Sequence, residues 1–152
     1  MPTRLYLTPE GEKTLHYWTE NISKDFTNKV VKAWASTLAA RIKGLMDAAF
    51  NNEAQPYGGA WMPLTAKYRE SKQRRGYSTA IGTASGRLRR SLFSQVENRR
   101  GAVVEAGSSG VDYADFFNAK RPFIPPRTAA QADARAIFDD KMKRFIEGVE
   151  RG

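Results

Sequence analysis

The densest chemistry in the sequence lies between Thr65 and Arg90. Lys67, Arg69, Lys72, Arg74, Arg75, Arg87, Arg89 and Arg90 stand there against one acid, Glu70, so the stretch carries eight minus one, or +7, of the formal charge of +9. Clustered cations attract polyanions: the phosphates of nucleic acid, without sequence readout, or the acidic surfaces of other proteins. Tyr68 and Tyr77 lie among them, and Arg with aromatic side chains can grip a single strand by charge and stacking. Gly76, Ser78, Thr79, Gly82, Thr83, Ser85 and Gly86 separate the two basic ends and favour turns over regular structure. The stretch reads as an extended, mobile basic arm, with a solvated loop that only aids solubility as the plainer alternative.

Other polar groups fall short of a catalytic pattern. Gly82-Thr83-Ala84-Ser85-Gly86-Arg87 has the glycines of a phosphate loop but neither its spacing nor its Lys-Ser or Lys-Thr. Asp112 with Asp115, and Asp139 with Asp140, have no histidine or ligand set nearby and read as a helix cap and a solvated face. His16 is the only histidine and cysteine is absent, which leaves no imidazole or thiolate shell for a metal. The sequence therefore predicts no catalytic residue, no cofactor, no metal and no small-molecule substrate. The protein is not expected to be an enzyme.

The elements that must carry the basic stretch follow from periodicity. At 152 residues, 41% hydrophobic and 27% charged, the chain fits one globular domain, residues 1-152. No signal-like segment opens it, and no run approaches the ~20 apolar residues of a membrane span. In the N-terminal segment, 1-22, Leu5 and Leu7 alternate, and Thr8-Pro9-Glu10 begins a short helix with Leu15 and Trp18 inward. From Ser23, a plausible N-cap, Phe26, Val30, Trp34, Leu38, Ile42, Leu45, Met46 and Ala49 recur at helical steps, giving a long helix over 23-50. Asn51 to Gly59 is a loop.

Trp61-Met62-Pro63-Leu64-Thr65 is a pinned connection in which Trp61 and Leu64 anchor the base of the arm, 65-90. Its polar residues 66-75 allow one or two exposed helical turns. An antiparallel hairpin spans about 90-106, with strands over Arg90 to Glu97 and Ala102 to Ala106 and a turn at Asn98-Arg99-Arg100-Gly101. Asp112 to Phe117 forms a short aromatic helix. Prolines keep Arg121 to Arg127 extended, and Arg121, Phe123 and Arg127 form a second interface segment. Thr128 caps a C-terminal helix over 128-150, with Ile137, Phe138, Met142, Phe145, Ile146 and Val149 inward. The fold class is α+β, with two long helices packed on a small antiparallel sheet.

Four groups of residues, in this order, resemble the virion morphogenesis and tail-completion family of tailed bacteriophages. They are Trp61-Met62-Pro63-Leu64-Thr65 with Tyr68 and Lys72; Thr83-Ala84-Ser85-Gly86-Arg87-Leu88-Arg89-Arg90-Ser91-Leu92; Glu105-Ala106-Gly107-Ser108 with Tyr113-Ala114; and Arg121-Pro122-Phe123-Ile124. The similarity extends over about Phe26 to Val149. The resemblance implies a structural protein of the phage neck or upper tail, for tail completion or head–tail joining. Copies of it would form a ring, expected to be hexameric, around the DNA channel. Its implied partners are itself, neighbouring neck, connector and tail-tube proteins, and genomic DNA touched without specificity in the lumen. The implied location is the virion, after assembly in the bacterial host cytoplasm, with no membrane contact. The alternative is a free basic nucleic-acid-binding protein, although no helix-turn-helix, zinc-finger or aromatic RNA-platform signature accompanies the charge.

Overall fold

One helix supplies more of the buried apolar residues than any other element. The computed structural model describes residues 3–5, 9–13, 15, 26–96 and 103–151. In chain order it contains strand β1 (Thr3–Leu5), helix α1 (Ala33–Asn52), helices α2 (Ala66–Arg74) and α3 (Arg87–Arg90), strands β2 (Leu92–Val96) and β3 (Val104–Ser108), and helices α4 (Ala114–Lys120) and α5 (Arg127–Glu150). Residues 9–13 are also helical. The expectations that rest on Leu7, Thr8, His16, Trp18, Ser23 and the 98–101 turn lie outside the described residues.

The apolar period of α1 explains its position. Trp34, Leu38, Ile42, Met46, Ala49 and Phe50 are all buried, together with the small Ala35 and Ala39. Ahead of it, Thr27–Lys32 is a π-helix in which both Val30 and Val31 are buried. The wider turn admits an extra residue, so two consecutive valines share a face that a plain α-helix would split. Glu53 ends α1 in the left-handed conformation (φ 49°), an arrangement that costs a residue with a Cβ about 1–2 kcal/mol.

The sheet has three antiparallel strands in the order β1-β3-β2. β2 pairs with β3 in a register that sets Leu92 against Ser108 and Val96 against Val104, and Thr3 to Leu5 of β1 pair with Ala106 to Val104. The hairpin is therefore present; β2 starts two residues later than alternation suggests, and β3 runs two residues past the expected end at Ala106. The later start arises because Arg87–Arg90 forms a helical turn, which starts β2 at Leu92. Val104 and Ala106 are fully buried, and Ser94 Oγ donates to the Ala39 carbonyl of α1 at 2.7 Å. Alanines on the helix and a serine on the strand allow that close approach.

α5 closes the other side of α1. Trp34 Nε1 donates to the Ala134 carbonyl at 2.7 Å. Phe138 meets Trp34 edge to face at 6.4 Å, and Phe145 meets Phe26 likewise at 5.4 Å, the offset arrangement that aromatic quadrupoles prefer. α5 begins at Arg127, and the Ala130 N–H bonds to the Pro126 carbonyl. Thr128 thus sits inside the first turn and does not cap it. Proline fixes its own φ and has no N–H to lose, which suits it to the position where the helix starts.

The C-terminal end of α1 enters an aromatic cluster drawn from separate segments. Phe50 stacks with Phe117 of α4 (5.8 Å, 11°), and Trp61 is edge-on to both Phe50 and Phe117 at 5.2 and 5.6 Å. Phe123, placed by the sequence in an interface segment, is instead 0% exposed and packs on Phe50 and Phe117. The segment before α5 is not extended throughout: it turns at Phe123 and Ile124, directing this ring inward, and Arg127 is already helical. Asn118 Oδ1 fixes that turn by accepting the N–H groups of both Phe123 and Ile124 at 3.0 Å.

Candidate functional site

The basic stretch is a folded excursion and not an extended arm. Thr65 caps α2, its hydroxyl accepting the Tyr68 N–H, a contact of about 1 kcal/mol in helix ends of this kind. The helix stops at Gly76 (φ 71°), with the Gly76 N–H on the Gln73 carbonyl and the Tyr77 N–H on the Lys72 carbonyl. This is a Schellman ending, which calls for glycine at the left-handed position.

Lys72 is the reason that the excursion folds back. It is 3% exposed, and its Nζ donates to the Ala80 carbonyl at 2.7 Å. The next N–H in the chain, that of Ile81, donates to Glu53 Oε1 at 2.8 Å. One peptide group is thereby held at its oxygen by an ammonium and at its N–H by a carboxylate. Burial pushes the Lys72 pKa below that of an ordinary lysine, and the Glu53 charge opposes the shift. Ile81 is buried beside this clamp, and Gly82 (φ 71°) presses against the aromatic cluster. A Cβ on Gly82 would lie 2.7 Å from both Phe50 Cε1 and Phe117 Cζ.

The second basic end is braced in the same manner. Gly86 (φ 71°) leads into α3, whose Leu88 is buried. Arg87 Nη2 donates to the Gly110 carbonyl at 2.9 Å, Arg90 Nη2 to the Ser85 carbonyl at 3.0 Å, and Arg89 Nη2 to Asn51 Oδ1. These acceptors are neutral, so the guanidinium groups are oriented while their charge stays uncompensated. Arg74 pairs with Glu70 one turn away. Lys67, Arg69 and Arg75 are exposed, with no ion pair or side-chain hydrogen bond among the described residues. Of the eight cations, setting aside the buried Lys72 and the paired Arg74 leaves six with uncompensated charge on one continuous part of the chain. Tyr68 and Tyr77 are exposed beside them.

Trp61 and Leu64 lie at the base of the excursion. Trp61 is buried and its Nε1 donates to the Pro122 carbonyl at 2.8 Å, while Arg121 Nε returns a bond to the Met62 carbonyl at 3.1 Å. Leu64 is half-buried against the main core. The 61–64 and 121–124 segments are therefore stitched to each other, which occupies Arg121 within the chain. Arg127, at the start of α5, is exposed.

A polar cluster escaped the sequence reading. Asp133 of α5 accepts from Arg41 Nε at 3.0 Å and from the Tyr57 hydroxyl. Tyr57 is itself left-handed (φ 59°), in a loop closed by a bridge between Ala54 and Ala60. The hydrogen bond to Asp133 raises the Arg41 pKa, and burial followed by the Asp133 bond raises that of Tyr57. No local pattern announces such a cluster, because its members come from three distant parts of the chain. Among the described residues, no group of three or more His, Cys, Asp and Glu side chains is placed to hold a metal, and no helix is long and apolar enough to cross a membrane.

These features define a mixed helix-and-sheet protein whose polar contacts hold a cationic surface in place. The chain belongs to the phage virion morphogenesis family, whose model matches residues 12–114. The matched span takes in α1, the basic excursion and the hairpin; the Arg121-Pro122-Phe123 segment and α5 lie beyond it. No curated protein and no solved structure matches the chain. Membership implies a structural or morphogenetic role in the phage virion, in contact with other phage structural proteins.

Proposed function

We propose that this chain is a structural protein of the phage neck or upper tail, serving tail completion or head–tail joining as a ring of identical copies around the DNA channel, hexameric in number. The observation that carries the reading is the mounting of the basic excursion. A buried lysine, a buried isoleucine and a glycine wedged between two aromatic rings fix its return path to the body, while six cations keep uncompensated charge. A surface fixed in this way has already met the ordering cost that a disordered arm would meet on assembly. Its neighbours in the ring and in adjoining layers are acidic protein surfaces, with the phosphates of passing DNA facing some of the cations.

The test is electron microscopy of particles made with and without the gene. The reading expects filled heads beside separate tails, or tails of faulty length with unfinished ends. Normal particles in the absence of the gene would overturn it.

A further inference from the structure

The hydrogen-bonding phase of the sheet can be read from a single contact. The Ser109 N–H bonds to the Ser91 carbonyl at 3.0 Å, and Ser91 and Ser109 continue the register of the β2–β3 pair, in which Phe93 faces Gly107 and Gln95 faces Glu105. Bonded pairs alternate along an antiparallel ladder. Residues 93 and 95 therefore bond to β3, and the N–H and C=O groups of Leu92, Ser94 and Val96 point away from it. On β3, Glu105 is used toward β2, so Val104 and Ala106 bond to Leu5 and Thr3 of β1, and the Arg4 N–H and C=O point outward at the opposite edge. Among the described residues nothing pairs with either outer edge.

The β2 edge also lacks protection. Leu92-Phe93-Ser94-Gln95-Val96 contains no charge, proline or glycine, the devices by which soluble proteins keep an edge strand from pairing. Ser94 and Val96 are only half-buried although their side chains face α1. A free edge of this composition suits a partner strand.

We infer that the partner is the β1 edge of a second copy of this chain, so that the three-stranded sheet continues from subunit to subunit. The inference rests on the ring reading: every interface in a cyclic ring joins two different patches, which rules out β2 against β2 and leaves the other open edge of the same sheet. β1 and β2 both run antiparallel to β3, so the joint is parallel. Arg4 of the next copy stands opposite Phe93 or Gln95. Its N–H reaches the carbonyl of Leu92 or Ser94, and its carbonyl receives the N–H of Ser94 or Val96.

The absence of cysteine makes this measurable. Neighbouring strands are about 4.7–4.9 Å apart, within the span a disulfide bridges. The double variants R4C/F93C and R4C/Q95C, supplied in place of the wild-type gene, are oxidised in purified particles and separated without reductant. A ladder of covalent multimers from either one, reversed by reductant and absent from the three single variants, is expected. Particles that contain the protein but give no ladder would overturn the inference, as would dimers from F93C or Q95C alone. Ser94→Pro removes an outward N–H and the hydroxyl bond to the Ala39 carbonyl, but no bond of the β2–β3 ladder. That chain is expected to keep its far-ultraviolet circular dichroism and to be missing from particles; incorporation at wild-type level would also overturn the inference. If the wild-type chain is itself absent from particles, the neck reading fails, and oxidation of the purified double variants at high protein concentration decides the edge pairing separately.

Discussion

Lys72 and Glu53 grip opposite ends of the same peptide group, the ammonium at the Ala80 carbonyl and the carboxylate at the Ile81 N–H. Removing either charge leaves the other in a place built for two. Glu53→Gln keeps an acceptor for Ile81 but takes the counter-charge from a buried lysine. It is expected to lower unfolding free energy by about 1–3 kcal/mol. A cycle with Lys72→Met, followed by urea denaturation, should give a non-zero coupling energy, and additive losses would show that the two groups act separately.

The same lysine predicts a pH dependence. Its folded pKa lies below the unfolded value because burial disfavours the charged form. The cost of that burial is fully present below the folded pKa and is relieved as pH rises toward 10.5, so Lys72 makes stability rise with pH in that window. Tyr57 acts oppositely. Its folded pKa is raised above 10.0, so its contribution is present below that value and lost above it. The difference between wild type and Lys72→Met, measured by thermal melts over alkaline pH, isolates the lysine, and the advantage of the wild type should widen as pH rises.

Trp61→Ala should cost about 3–5 kcal/mol, the range for truncating a buried aromatic. Trp61→Phe keeps a ring against Phe50 and Phe117 but leaves the Pro122 carbonyl without its donor. It should lose less than the alanine variant. Chemical denaturation of the two variants checks the order, and wild-type stability in the alanine variant would remove Trp61 from the core.

Gly76 and Gly82 share a φ of 71° but differ in their surroundings. Gly76→Ala meets open space and should cost about 1–2 kcal/mol, for the left-handed backbone alone. Gly82→Ala must in addition displace two aromatic rings. It is expected to be the more destabilising of the two in a thermal melt.

Lys67, Arg69 and Arg75 are exposed and structurally unengaged, whereas Arg87, Arg89 and Arg90 brace the fold. Reversing the first three to Glu should leave stability within about 0.5 kcal/mol, as for surface changes in general, while particle yield falls. Reversing the second three should lower both. Normal particles from the first variant would take the exposed cations out of assembly.

Periodicity made the long helices and the hairpin legible, because a face that recurs every three or four residues, or every second one, is buried by any packing partner. It could not reveal that Val30 and Val31 share a face, since a π-turn breaks the period it is read from. A lysine in a polar run reads as solvated, and nothing nearby signals that Lys72 turns inward toward an acid at the end of α1. The inward turn of Phe123 carries no sequence signal, because proline dictates backbone extension but not which side chains face the core. The Arg41, Tyr57 and Asp133 cluster depends on tertiary proximity alone.

The bond from Trp34 to the Ala134 carbonyl spans 100 residues, and that from Arg41 to Asp133 spans 92. Contacts so distant along the chain make folding slow, because loop closure must precede its reward. On the ribosome, α1 emerges long before the helix that covers it. The nascent chain cannot complete its core until α5 has emerged, and a chain stopped short of α5 lacks the partner against which its first half folds. Competence to assemble therefore waits for α5, a safeguard that arises from the order of the elements alone.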